Sequence, residues 1–265
     1  MLWRSGAPAE RVDAVAVEEP LELRLHTPDG PLPLGVLMRT PGHDRELLLG
    51  WLVSEDLLPE VFTLEPDHEN RNVWHLHTPD FARLAAGARL AVSSSACGVC
   101  GSGSVERLMA RASPPSWAGG PLDVAWLSGL PKVLVAAQPG FAATGGLHGA
   151  ALFSRDGTRL AAFEDVGRHN AVDKLVGWAQ AQGRLPLSDA TLVVSSRAGF
   201  EIVQKAVTAG VAVVVTVGAA TSLAVDTAAA FGVTLCGFAR GDRLTVYAGA
   251  DRFPDFLQTS SSPTL

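Results

Sequence analysis

Between residues 191 and 238 the chain alternates short uncharged apolar runs with helix-length amphipathic ones. The spacing predicts strands over 191–195, 211–217 and 233–238, with helices over 200–209 and 221–231 between them. Strands alternating with helices of roughly ten residues read as βαβ units, which build a mostly parallel sheet covered on both faces. The second half of the chain is therefore expected to be an α/β layer. This reading also accounts for the one stretch that imitates a membrane span. Ala206 to Val225 carries no charge, but Gly210, Gly218 and several hydroxyl residues break it into a helix end, a buried strand and a new helix. No membrane span is expected.

Upstream, 147–154 and 159–166 flank Arg155-Asp-Gly-Thr158, a tight hairpin turn. A helix from about Asn170 places Val172, Leu175, Val176 and Ala179 inward and stops near Gly183. The N-terminal region has a period of two. Leu21, Leu23 and Leu25 share one face of a strand, and Leu34, Val36 and Met38 repeat the pattern. Asp44 is placed to cap a helix carrying Leu47, Leu48, Trp51 and Leu52. Val73 to His77 and Arg89 to Val92 read as further strands, and Val105, Leu108, Met109 and Ala112 as one helix face. The Pro/Gly-rich segment Ser113 to Pro121 continues neither helix nor sheet. The expected division is a smaller N-terminal α+β domain over 1–112, an α/β domain over 122–250 and a flexible tail over 251–265.

Hydrophobic residues are 47% and charged residues 18% of the chain, a globular balance. A net charge of -6 excludes non-specific nucleic-acid binding as the expected role. Three cysteines give no disulfide framework, and Met1 to Pro8 contains no apolar leader core, so a reducing, cytoplasmic location is expected.

Two of those cysteines, Cys97 and Cys100, stand three positions apart in a Gly/Ser run from Ser93 to Ser104. Small neighbours and three glycines suit a segment that carries thiols between partners. A thiolate that attacks a persulfide, with a second thiol to resolve it, is the chemistry such a pair offers. A structural zinc wants four ligands and no second CxxC exists; His75 and His77 share one strand face and are the added donors such a site would draw on, although an exposed strand edge explains them equally well. The zinc-deaminase signature is absent: His148 is followed by Gly149 and Ala150 with no glutamate, and Ala96 precedes Cys97. A thioredoxin-like pair normally opens a helix.

In open α/β sheets, ligands lie beyond the carboxyl ends of the strands. Those ends read Ser195-Ser-Arg-Ala-Gly199, Gly218-Ala-Ala-Thr-Ser222 and Phe238-Ala-Arg-Gly-Asp-Arg243. Small residues, hydroxyls and arginines at helix starts suit phosphate, so a phosphorylated, nucleotide-bearing ligand is expected there. Arg168 and His169 follow another strand end, and His148 follows two glycines that allow close backbone approach. Asp173 and Lys174 read as a solvated helix face, and Cys236 as core packing.

Met38-Arg-Thr-Pro-Gly-His-Asp44, Cys97-Gly-Val-Cys-Gly101, Thr144-Gly-Gly-Leu-His148 and Glu164-Asp-Val-Gly-Arg-His-Asn-Ala-Val-Asp-Lys174 occur in that order. Arg197-Ala-Gly-Phe-Glu201, Val203-Gln-Lys205 and Gly237-Phe-Ala-Arg-Gly-Asp-Arg243 follow them. With these motifs the chain resembles the formate dehydrogenase accessory sulfurtransferases, the FdhD family, over about residues 20–250. The resemblance implies a cytidine-deaminase-like α/β domain and a homodimer. It implies a sulfurtransferase that accepts sulfur from a cysteine desulfurase as a persulfide. The sulfur then passes to the molybdenum cofactor carrying two pterin guanine dinucleotides, for formate dehydrogenase. Cys97 maps to the persulfide carrier, with Cys100 as its partner.

The resemblance also assigns Phe238, Ala239, Arg240, Gly241, Asp242 and Arg243 to cofactor binding. His148, Arg168, His169, Ser195 and Arg197 join them from the strand-end reading, with GDP or GMP as a mimic of the cofactor and no resident metal. Two turns depart from the family pattern. Ser196 and Gly199 stand where relatives read glycine and serine, and Gly218 and Ala220 replace a serine and a proline. A non-catalytic cofactor-binding chaperone, using the cysteine pair for zinc or docking, is the other reading.

Overall fold

The computed structural model describes residues 2–4, 7–9, 13–86 and 108–254. Strands β1 (Leu2–Arg4) and β2 (Ala7–Ala9) pair as a short antiparallel ribbon. The next unit is a four-stranded sheet of β3 (Glu19–Thr27), β4 (Gly30–Arg39), β5 (Thr63–Pro66) and β6 (Val73–His77), in the order β4-β3-β6-β5. Leu21, Leu23, Leu25 and Leu76 project from one face onto α1 (Asp44–Ser54), which supplies Leu47, Leu48 and Leu52.

Two expectations for this unit need correction. Val36 and Met38 are exposed and do not continue the face of Leu34. A register shift opposite Leu23 and Arg24 leaves Leu34 as the extra residue of a bulge, which turns the following residues over. Asp44 does not cap α1 either. It is the first helical residue, His43 precedes it at φ 59, and its carboxylate takes the guanidinium fork of buried Arg39 at 2.9 and 3.0 Å.

The second unit is a six-stranded sheet in the order β12-β11-β10-β9-β7-β8. Its strands are β7 (His148–Ser154), β8 (Arg159–Asp165), β9 (Ala190–Val194), β10 (Val213–Thr216), β11 (Thr234–Arg240) and β12 (Arg243–Ala248). Helices α2 (Val124–Val135), α3 (Pro139–Thr144), α4 (Arg168–Ala181), α5 (Phe200–Thr208) and α6 (Ser222–Ala230) accompany it. Only β9, β10 and β11 are hydrogen-bonded to one another in parallel. The expectation of a mostly parallel sheet therefore holds for this centre alone. The hairpins β7–β8 and β11–β12 add antiparallel pairs on either side, because short turns, 155–158 and 241–242, return each strand beside its neighbour.

Strand alternation sends Ala151, Phe153, Val193, Val213, Val215 and Cys236 to α2 on one face. Ala150, Leu152, Leu192, Val194, Val214 and Leu235 face α4, α5 and α6 on the other. Leu108 and Ala112, grouped by the sequence division with the N-terminal region, pack in this second core. The expected flexible tail starts too early, since Phe253 is buried against α2 and the Arg252 carbonyl accepts from Leu122 N–H.

The two sheets are joined by helix packing. Helix α1 is buried on both sides, on its own sheet through leucines and on α4 through Gly50. Among the described residues no helix is long and apolar enough to cross a membrane, and Ala206–Val225 divides into the end of α5, β10 and the start of α6.

Candidate functional site

The parallel centre and its antiparallel neighbours bring distant chain segments to a single edge of the sheet. The carboxyl ends of β8, β9, β10 and β11 point the same way as the first residues of β7 and β12. Hence Arg243, Arg240, Phe238, Arg197, Ser195, His148, Arg168 and His169 all lie along this edge. The turns that hold them are tied to one another. Gly218 N–H donates to Ser196 O, Ala198 N–H to Ala219 O, Thr221 N–H to Ala198 O and Phe238 N–H to Gly218 O, all within 3.1 Å. Small residues are needed here, because a Cβ on Gly218 would lie 3.0 Å from the Arg197 side chain.

The row is not one compact cluster. The tip of the β11–β12 hairpin and the start of β7 are three strand positions apart, roughly 14 Å at the usual strand spacing. At the β7–β8 end, His148 is half-buried, and its pKa is held below the ordinary value by burial and by the charges of Arg168 and His169. A neutral imidazole can both donate and accept at pH 7. Ser195 Oγ accepts from Gly149 N–H at 2.9 Å, which leaves its hydroxyl proton for another acceptor. His169 Nε2 lies 2.5 Å from Glu201 Oε2. The imidazole is the main reason that the Glu201 carboxyl sits below its ordinary pKa.

At the other end, Phe238 is half-exposed and adopts φ 50, a conformation that an aromatic residue rarely takes. A register shift between Gly237 and Arg240 marks a bulge at which the Phe238 ring is left exposed while its N–H donates to Gly218 O. Arg240 and Arg243 then flank the exposed turn Gly241-Asp242, whose Gly241 carbonyl accepts from Ser128 Oγ of α2 at 3.0 Å. Ala239 is buried and packs its methyl toward α2, so only its backbone is at this surface. Among the described residues, Arg168, Arg197, Arg240 and Arg243 have no carboxylate within ion-pair distance. The edge is thus a row of four guanidinium groups, two imidazoles and turn amides, a donor set matched to phosphate oxygens.

Behind the row, Asp173 and Lys174 are buried and paired, contrary to the solvated face expected of them. Lys174 Nζ contacts Asp165 Oδ2 at 2.7 Å and donates to the carbonyls of Thr40 and Glu164. Lys205 Nζ grips both Asp173 oxygens at 2.8 and 2.9 Å, and Ser54 Oγ donates to the same carboxylate. Asn170 does not cap α4, since its amide donates to Met38 O and to Asp165 Oδ1. Thr40 completes the clamp, its N–H donating to Asp165 Oδ2 and its Oγ1 accepting from Val166 N–H. Sequence reading missed Thr40 and Glu201 as site-shaping residues, although both stand in the motifs quoted above.

Cys97 and Cys100 lie outside the described residues, as do the strand expected over 89–92 and the start of the helix expected from Val105. Cys236 is buried in β11, and burial pushes its thiol up to about 12, which suits packing and not nucleophilic chemistry.

The sequence model described as the FdhD/NarQ family matches residues 16–254. A protein of Anaeromyxobacter dehalogenans strain 2CP-1, named sulfur carrier protein FdhD, is 46% identical, with 94% of each chain covered. Its namesake in Nocardia farcinica is 44% identical over 91% of this chain and 88% of that one. Among solved structures, one described as a candidate formate dehydrogenase accessory protein from Desulfotalea psychrophila superposes with a TM-score of 0.73. It is 21% identical and covers 95% of this chain and 96% of its own, which supports the shared fold.

Proposed function

The chain belongs to the FdhD/NarQ family, and we propose that it is a sulfurtransferase carrying sulfur as a persulfide on Cys97. The donor is a cysteine desulfurase. The Cys97 thiolate attacks the terminal sulfur of the donor persulfide, a new S–S bond forms, and the donor cysteine leaves as thiolate. Cys100 then attacks the Cys97 sulfur. The Cys97–Cys100 disulfide forms and sulfide departs to the acceptor, while a cellular dithiol restores both thiols.

The acceptor, written here as substrate, is the molybdenum cofactor with two pterin guanine dinucleotides, destined for formate dehydrogenase. Its diphosphates would meet Arg240 and Arg243 at one end of the sheet edge and Arg168 and Arg197 toward the other. Phe238 offers a ring face for stacking on a base. The protein is proposed to act in the cytoplasm as a homodimer.

The observation that supports this reading most is the row of arginines with no carboxylate partner among the described residues, in a chain 46% identical to a sulfur carrier protein. Intact-mass measurement after incubation with a cysteine desulfurase and cysteine tests it. The expected result is a gain of sulfur that reductant removes and Cys97→Ala abolishes. Full activation of formate dehydrogenase in cells by Cys97→Ala and Cys100→Ala variants would overturn it.

A further inference from the structure

Gln138, between α2 and α3, is buried beside the site edge of the six-stranded sheet. It is 2% exposed and, among the described residues, its Nε2 meets no acceptor. The backbone around it is fixed, with its N–H donating to Val135 O at 3.2 Å and its carbonyl accepting from Ala142 N–H at 3.0 Å. The amide lies against Gly149, the second residue of β7, where a Cβ would stand 2.5 Å from Nε2. Any side chain at 149 would therefore displace it. A buried amide without a partner costs free energy, so its presence calls for an acceptor that arrives from outside the chain.

A second donor adjoins the same glycine. Ser195 stands across from Gly149, one register position beyond the Ala150–Val194 pair, and its Oγ accepts from Gly149 N–H at 2.9 Å. The hydroxyl proton is then left for another acceptor. An amide and a hydroxyl thus flank Gly149, one residue from His148. Both donors are uncharged, so they suit a neutral oxygen, whereas the arginines of the row suit phosphate. A carbonyl oxygen offers two lone pairs to two donors.

We propose that Gln138 and Ser195 recognise the ring carbonyl of a 2-amino-4-oxopyrimidine, the ring that guanine and pterin share. The inference rests on the reading of this edge as the site of a pterin guanine dinucleotide, and adds to it the residues that select the base. An amino group in place of the carbonyl brings a donor to two donors and leaves all of them unpaired. Sites built to hydrogen-bond a substrate reject such analogues strongly.

The segment that follows Gln138 can yield to an entering ring. Helix α3 buries none of its six residues. Its first turn is tied to the sheet by Glu164, whose carboxylate accepts from Gly140 N–H at 2.8 Å and Phe141 N–H at 2.7 Å. The amide itself can turn about its terminal torsion, whose wells are broad.

Two matched pairs of ligands, titrated into the full chain, test the assignment. They are GDP against 2-aminoadenosine diphosphate, and folate against its 4-amino analogue aminopterin, each pair exchanging the carbonyl for an amino group. The parent should prefer the carbonyl member by at least about tenfold, and the pair that shows it tells guanine from pterin. Gln138→Leu, which keeps the bulk and drops the amide, should cut that preference about 2–10-fold and leave the affinity for the amino member unchanged. In urea the unliganded Gln138→Leu protein should be at least as stable as the parent, the reverse of what loss of a structural amide gives. Ser195→Ala should cut the preference too, and decides the matter if Gln138→Leu does not fold. No preference within either pair, or a preference that both variants leave intact, overturns the proposal. GDP binding that Arg240→Ala abolishes, without that preference, would leave the phosphate reading of the edge standing while this inference falls. No binding of GDP or folate removes both.

Discussion

Gly50 of α1 and Gly177 of α4 face each other where the two helices touch. A Cβ on Gly177 would lie 2.7 Å from Gly50 N and 1.8 Å from Glu46 O, and one on Gly50 would lie 1.8 Å from Asp173 O. All three obstacles are backbone atoms, so no side-chain rotation relieves them. This contact joins the four-stranded sheet to the layer that carries the arginine row.

Gly50→Ala and Gly177→Ala should each lose at least about 3 kcal/mol, because the helices must be driven apart. Urea unfolding reads the loss as a shift of the midpoint. Gly129→Ala is the control. It sits in α2 with open space around its would-be Cβ, and should gain about 0.5–1 kcal/mol from reduced backbone freedom.

Lys205→Met should be among the most destabilising single changes, costing about 3–5 kcal/mol, because it strands the Asp173 carboxylate in the core. Burial already pushes the Asp173 pKa up. A buried acid with a raised pKa binds its proton more tightly folded than unfolded. The Lys205→Met protein should therefore recover stability as pH falls, whereas the parent should not to the same degree. Asp173→Asn added to Lys205→Met should restore part of the loss at neutral pH.

The sheet centre was legible because buried parallel strands are written as unbroken runs such as Thr191 to Val194 and Val213 to Thr216, bounded by glycines and hydroxyl residues. The charged residues of α4 were not. Asp173 finds Lys205 thirty-two positions away, on another helix, and Lys174 finds Asp165 across the end of β8. Pairs of that separation leave no local pattern, so each charge alone reads as solvated. Helix α2 was missed for a different reason. Pro131 lies inside it and Pro121 before it, and both are breaker signals in a window read without its tertiary partners. For the site, the arginines at strand ends were visible, while the pairing of His169 with Glu201 required the fold.

Phe238 should show a trade between stability and ligand binding. Relieving its φ of 50 with Phe238→Gly should raise stability by about 1 kcal/mol, since only glycine takes this backbone conformation without strain. The same change removes the exposed ring, and should reduce the rise in melting temperature that millimolar GDP is proposed to give. Arg240→Ala and Arg243→Ala should erase that rise without the gain in stability. A Phe238→Gly protein that is less stable than the parent would mean the ring, not the backbone, governs this bulge.

The His169–Glu201 contact sets a pH dependence whose sign is fixed. Glu201 has a folded pKa below its ordinary value, with His169 the largest cause. Its contribution to stability is therefore complete above the ordinary carboxylate range and is lost as pH falls through the folded value. His169→Gln should bring the Glu201 titration back toward the ordinary value, read by carboxyl-carbon NMR, and should flatten stability over that acid window. Arg168 lowers the Glu201 pKa as well, but as a smaller contributor, so Arg168→Gln should move the same midpoint less. If the two variants moved it equally, the imidazole would not be the residue that holds Glu201 at the start of α5.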